Sequence, residues 1–177
     1  IGGDIDDTWA LAFLLRSPEL DLRLVSAATG DTTYRARLAA KFLQAAGRSD
    51  VPVGVGINEG SDGPRERQAE WVKGYRLDNY PGRVLDDGVG AIIETIMTSP
   101  QPVTVIGIGP LPNIAAALRR EPRIAQRARF VGMQGSIALG HFGKAGPIAE
   151  FNVERNIPAC QTAFAAPWPI TLTPLDT

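Results

Sequence analysis

Cysteine is nearly missing from this 177-residue chain: Cys160 stands alone, so no intrachain disulfide can form, and such usage favours a reducing, cytoplasmic setting. Long apolar runs are missing too. The longest, Trp9 to Leu15, has seven residues, far below the ~20 that a membrane-spanning helix needs. No basic stretch followed by an apolar one opens the chain, so no secretory leader is visible. Neither sign of charge is in excess: 18 lysines and arginines face 19 acids, for a net charge of −1. That removes the electrostatic reason to expect nucleic acid or an anionic membrane as partner. What is present is ordinary: 44% apolar and 21% charged residues exclude disordered and fibrous proteins, and the length suits one domain with a sizeable core. The chain opens at Ile1 before a dense acidic cluster and closes at Thr177 after an expected strand, so it reads as a single domain, residues 1–177, cut at both ends.

Apolar periodicity alternates along the chain. Asp7 to Arg16 reads as a helix with Trp9, Leu11, Ala12 and Leu15 on one face, and Leu22 to Ala28 as a strand ending at Thr29-Gly30-Asp31. Thr33 to Ala46 is predicted helical and closed by Gly47, and Val51 to Val55 is a short strand. Gly56 to Arg83 is long, polar and punctuated by glycine and proline, with room for helical turns between Glu66 and Tyr75. Helices are expected over Asp87 to Met97, Leu111 to Arg119 and Ile157 to Phe164, and strands over Val103 to Ile108, Phe130 to Met133 and Ile170 to Leu172. Gln134 to Ala149 reads as a loop. This alternation predicts an α/β fold: a mainly parallel open sheet with helices on both faces. Ligands in such folds bind beyond the carboxyl ends of strands, which directs attention to Asp31, to Gly107-Ile108-Gly109-Pro110, to the 134–152 stretch and to the acidic cluster.

Gly2-Gly3-Asp4-Ile5-Asp6-Asp7 crowds three carboxylates at a helix entry. They repel unless a cation or hydrogen-bond donors offset them, and oxygen ligands suit calcium or magnesium. The bland alternative is a helix cap beside a solvated Asp4. Asp4-Ile5-Asp6-Asp7-Thr8 also fits the DxDxT string of haloacid-dehalogenase-type phosphatases, in which Asp4 would be the nucleophile with magnesium. Glu150 and Asn152, two apart, would share one side of an extended segment and could bind neighbouring sugar hydroxyls, or the loop could simply satisfy its own backbone. Gly107-x-Gly109 has Pro112 where a dinucleotide fingerprint needs glycine, and no Lys-Ser/Thr follows, so both nucleotide loops are rejected. His141, Cys160 and the arginines at 119, 120, 123, 127 and 129 read as a solvated loop residue, a core residue and a solvated helix end.

Taken in order, these segments resemble the inosine-uridine-type nucleoside hydrolase family. Asp6-Asp7-Thr8-Trp9-Ala10-Leu11 matches the second half of its acidic motif, Gly30-Asp31 its glycine-asparagine/aspartate pair, and Ile108-Gly109-Pro110-Leu111-Pro112-Asn113 its G-P-L-T-N segment. Met133 matches its M-G-G strand end, and Ala149-Glu150-Phe151-Asn152 its A-E-F-N directly. The resemblance implies a Rossmann-like nucleoside hydrolase fold and hydrolysis of ribonucleosides to ribose and free base by a calcium-bound water. It implies calcium (Ca2+) held by Asp7 and the backbone carbonyl of Ile108, with Asp4 as a further candidate ligand. Asp6, Asp31 and Asn152 would hold the 2′- and 3′-hydroxyls and Glu150 the 5′-hydroxyl. The water-activating base would lie upstream of Ile1 and the acid beyond Thr177, so no catalytic residue is assigned within the chain. A small ribonucleoside is the implied partner, and a homo-oligomer, dimer or tetramer, the implied assembly. Lys144 stands where many members carry asparagine, and the run from Gly2 to Asp7 is two residues longer than the commonest pattern. A riboside-binding protein without turnover is the remaining alternative.

Overall fold

Every strand pairing is parallel in the computed structural model, which describes residues 1–177. The chain divides into two units, Ile1–Ile92 and Ile93–Thr177. No helix is long and apolar enough to cross a membrane.

In the first unit, α1 (Asp6–Leu15), β1 (Val25–Ser26), α2 (Thr32–Ala45), β2 (Val53–Gly54) and β3 (Val84–Leu85) follow one another, with strands in the order β1-β2-β3. Helix α1 starts without a side-chain cap, but Asp6 and Asp7 occupy its first turn, where carboxylates oppose the helix dipole favourably. Helix α2 is bounded at both ends. Asp31 caps its start, and Gly47 closes it at φ 71, with Arg48 N–H bonding the Leu43 carbonyl and Gly47 N–H that of Gln44. That pair of bonds is the Schellman arrangement, which favours glycine at the left-handed position. The apolar side of α2 supplies Ala36, Ala39, Ala40 and Leu43 to a core shared with Leu11, Val51, Val53 and Tyr80. Burial raises the Tyr80 hydroxyl to about 12, and that hydroxyl donates to the Val51 carbonyl at 2.6 Å.

Three differences from the sequence expectation stand out in this unit. Trp9 is 66% exposed and not on the buried face, which Leu11 supplies at 7%. The 56–83 stretch holds 3-10 turns at Gly63–Arg65 and Leu77–Asn79 besides Ala69–Val72, which falls where helical turns were expected. Strand β3 has no counterpart in the sequence expectation, because its two residues stand alone at the end of a long polar stretch with no apolar run around them.

In the second unit, α3 (Gly88–Thr98), which begins in the first unit, is followed by β4 (Val103–Gly107), α4 (Pro112–Arg120), β5 (Ala128–Gly132), α5 (Phe151–Glu154), α6 (Ile157–Ala165) and β6 (Ile170–Leu172). The strand order is β4-β5-β6. Pro112 and Pro158 sit in the first turns of α4 and α6, where the missing N–H is no loss. Phe130 is fully buried and stacks on Trp168 at 5.7 Å between ring centroids. Glu150 and Asn152 do not share an extended segment, as the sequence suggested. They begin a four-residue helix, α5, too short for a helical period to show in the sequence.

Candidate functional site

The first unit carries four candidate carboxylates. Asp31, at the exit of β1, accepts from the N–H groups of Thr33 and Tyr34 at 2.9 and 3.1 Å and from Asn58 Nδ2 at 3.3 Å, all on Oδ1. Oδ2 takes no part in this set, so the cap fixes the side chain while leaving an acceptor for a ligand. Gly30, just before it, has φ 60, and a Cβ there would lie 2.1 Å from Asp62 Oδ2. Glycine is required on both counts. Asp6 is exposed. Asp7 is partly buried, with Oδ2 2.7 Å from the nitrogen of Ile1. Asp4 lies in a bend and is salt-bridged to Arg67 on the surface. That setting differs from the strand-end position a phosphatase nucleophile needs.

The second unit ties its candidates into one polar network. Glu150 is 4% exposed. Its Oε1 accepts from Asn152 N–H at 2.8 Å, and its Oε2 from Gly135 N–H at 2.9 Å and Val153 N–H at 3.2 Å. A carboxylate has about four lone-pair sites, so roughly one remains. Asn152 Nδ2 donates to the Met133 carbonyl at 3.0 Å, which turns Oδ1 to other partners. At the exit of β4 the Gly107 carbonyl accepts from Met133 N–H, and the Gly109 carbonyl from Gln134 Nε2, both at 2.9 Å. The Ile108 carbonyl between them has no such bond, as a strand-end ligand carbonyl requires.

Gln134, which the sequence reading passed over, and Cys160, which it read as a core residue, hold this network. Gln134 is 2% exposed and reaches Gly109 from the end of β5. The Cys160 thiol donates toward Gln134 Oε1 and the Asn152 carbonyl, 3.7 Å from each. Burial, with Glu150 adding its negative charge, pushes that thiol up, so it is a packing group and not a nucleophile. The signal for Gln134 was its place at a strand end between Met133 and Gly135, where the resembled motif has glycine.

Asp176 shapes the loop that leads to Glu150. Its carboxylate accepts from the N–H groups of Ile137, Ala138 and Leu139 at 2.8, 2.7 and 2.9 Å. Those backbone bonds, Ile137 first, hold its carboxyl below the ordinary 3.8. A depressed folded-state pKa supports the loop fully above the unfolded value and is lost as pH falls through the folded one. An NMR titration of Asp176 is expected to give a midpoint below 3.8, with the Ile137–Leu139 amides losing protection only in acid. A midpoint at or above the ordinary value would show that the three bonds do not persist in solution.

His141 is exposed and Cys160 buried, both as the sequence suggested. Trp71 is packed edge-on against Phe42, with Lys41 Nζ 4.9 Å from its ring centre, so it pins the long loop. No three His, Cys, Asp or Glu side chains are arranged to hold a metal ion. Two surface depressions, one by Gln101, Arg127 and Pro169 and one by Leu77, Tyr80 and Gly82, include none of the candidate residues.

The sequence profile of the family described as inosine-uridine preferring nucleoside hydrolase matches residues 1–177. A Schizosaccharomyces pombe protein, C1683.06c, is 33% identical over 97% of this chain and 58% of its own length. The pyrimidine-specific ribonucleoside hydrolase RihA of Citrobacter koseri is 30% identical over 97% of this chain and 57% of its own. The chain therefore spans little more than half of these relatives. Among solved structures, the purine-preferring ribonucleoside hydrolase from Gardnerella vaginalis superposes with a TM-score of 0.79 at 24% identity, over 99% of this chain and 59% of that one.

Proposed function

The chain belongs to the inosine-uridine preferring nucleoside hydrolase family, and from that membership we propose that the intact protein hydrolyses the N-glycosidic bond of ribonucleosides to ribose and free base. The observation that carries the reading is the spare valence at three of the matched positions. Asp31 leaves Oδ2 and Asn152 leaves Oδ1 while the other polar atom of each side chain holds it in place, and Ile108 leaves its carbonyl. We read residues 1–177 as belonging to a single hydrolase domain, which the profile match along the whole chain supports.

In this reading Asp6, Asp31 and Asn152 accept hydrogen bonds from the 2′- and 3′-hydroxyls, and Glu150 from the 5′-hydroxyl. The negative charge of the three carboxylates, Asp6, Asp31 and Glu150, also favours the oxocarbenium-like transition state, in which positive charge develops on the sugar. Asp7 and the Ile108 carbonyl would hold calcium, and Asp4 would join only by releasing Arg67. Calcium, when bound, supplies a Lewis acid that lowers the pKa of water. The carboxylate that takes the water's proton lies upstream of Ile1 in this reading, and the acid for the leaving base beyond Thr177. The two named hydrolases differ over pyrimidine and purine, so the base is left open. A cytoplasmic setting, consistent with the lone buried Cys160, and a homo-oligomeric state complete the proposal.

The test is product analysis with the intact protein on inosine, uridine and adenosine. Ribose and free base should appear in equal amounts without consuming phosphate. A chelator should abolish turnover, and calcium should restore it. Hydrolysis of phosphate esters with magnesium would favour the phosphatase, and riboside binding without turnover would leave a binding protein; either result overturns the proposal.

A further inference from the structure

A buried ion pair in the Ile1–Ile92 unit has no role in the function proposed above, and the inference drawn from it rests on that function. Arg35 Nη2 lies 2.8 Å from Asp62 Oδ2, with side-chain exposures of 11% and 8%. Charges removed from water are costly unless geometry and hydrogen bonding are nearly complete. Here Arg35 Nε donates to the Thr29 carbonyl at 2.7 Å and Nη1 to the Ile1 carbonyl at 2.6 Å. The neighbouring Tyr34 hydroxyl donates to the Gly2 carbonyl at 2.9 Å and accepts from Gln68 N–H at 3.1 Å.

Consecutive side chains at the start of α2 thus hold consecutive carbonyls of the segment that enters Asp4-Ile5-Asp6-Asp7. The same guanidinium grips Thr29, two residues before Asp31. Thr29 has φ 70, a left-handed conformation that a β-branched residue adopts only where its surroundings over-determine it. Its hydroxyl is also buried without a hydrogen-bond partner. The carboxylate of Asp62 then fills the space beside Gly30. A planar guanidinium reaches three acceptors in fixed directions, which an ammonium on a flexible stem does not.

We propose that Arg35, seated by Asp62, is a positioning residue for sugar binding: it holds the Asp31 turn and the acidic entry to α1 in register with each other. A merely structural pair would stabilise the fold and leave ligand selectivity alone. A positioning pair acts on the hydroxyl-binding carboxylates and not on the base.

The experiment measures, on the intact protein and on its Arg35→Lys and Asp62→Asn variants, kcat/KM for a ribonucleoside and the dissociation constants of ribose and of the free base. Ribose affinity and kcat/KM should fall ~10- to 100-fold, the size that small displacements of binding groups produce, with free-base affinity unchanged. Thr29→Gly placed on Arg35→Lys should recover part of the loss, because glycine takes φ 70 without strain. If Arg35→Lys does not fold, Asp62→Asn, which keeps an acceptor for the guanidinium, decides alone. Unchanged ribose affinity, or equal losses for ribose and base, overturns the inference while wild-type turnover still upholds the functional reading. A wild type that neither cleaves ribonucleosides nor binds ribose overturns both.

Discussion

Asp31→Asn is expected to leave stability almost untouched while ribonucleoside turnover by the intact protein falls only ~10-fold, because the family places either asparagine or aspartate at this position and the exchange removes one charge while keeping the polar group. Asparagine and aspartate cap helices about equally well. The amide oxygen of asparagine can therefore accept from Thr33 and Tyr34 as Asp31 Oδ1 does, and α2 keeps its start. What disappears is the charge on the unengaged Oδ2. A sugar hydroxyl bonds a carboxylate about twice as strongly as a neutral acceptor; the amide NH2 that replaces Oδ2 can still donate to a sugar hydroxyl but brings no negative charge to the developing oxocarbenium ion. Asp31→Ala would lose the cap as well, at about 1–2 kcal/mol, so the asparagine variant is the cleaner probe. Thermal denaturation and steady-state kinetics on the same preparations check it. Turnover close to wild type in a well-folded Asp31→Asn protein would show that the charge of Asp31 does not act on the sugar.

The ligand motif and the capping motif are one string of residues at Asp31, and again at Glu150. That explains what the sequence revealed. Helices α2, α3, α4 and α6 were legible to within a residue or so, because each is long enough for apolar positions to recur at helical spacing and is bounded by a proline, glycine or capping acid. Strands β4 and β6 were legible as apolar runs between turns. Strand β3 is two residues without the flanking apolar run that announced the equally short β1 and β2, and helix α5, with four residues, is shorter than any helical period. The α5 omission had a consequence, since it led to an extended geometry for Glu150 and Asn152 that the helix replaces. Trp9 shows a different limit: periodicity places it on a helix without telling which face the core covers.

Arg35 was hidden for a further reason. In Thr33-Tyr34-Arg35-Ala36-Arg37 it looks like an exposed helix charge, and Asp62 lies 27 positions away in a loop rich in other acids. Only the fold shows that one arginine of the pair is buried. Gln134 is similar, since its bond to the Gly109 carbonyl spans 25 positions. Local chemistry announces the residues that meet a ligand at strand ends. The residues that hold them in place are set by tertiary contacts and carry no local signature.

At Glu150 burial joins the structural and functional roles that Asp31 keeps apart. Glu150→Ala leaves the N–H groups of Gly135, Asn152 and Val153 without their acceptor in a site where the native residue is 4% exposed. Each buried unpaired donor costs about 1–3 kcal/mol. Because the three share one relaxing loop, the total expected is ~2–4 kcal/mol and not the sum. Glu150→Gln keeps one carbonyl oxygen. If that oxygen faces Gly135 and Val153, the new NH2 group is set against Asn152 N–H, donor against donor, and the expected loss is ~1–2 kcal/mol. Asn152, whose backbone is seated by that bond, moves with it. Turnover should therefore fall by ~100-fold or more in both variants, and urea denaturation should rank them wild type, glutamine, alanine. A glutamine variant as stable as wild type would mean that Glu150 does not hold the start of α5 in solution, and its assignment to the 5′-hydroxyl would lose the rigid support that makes it credible.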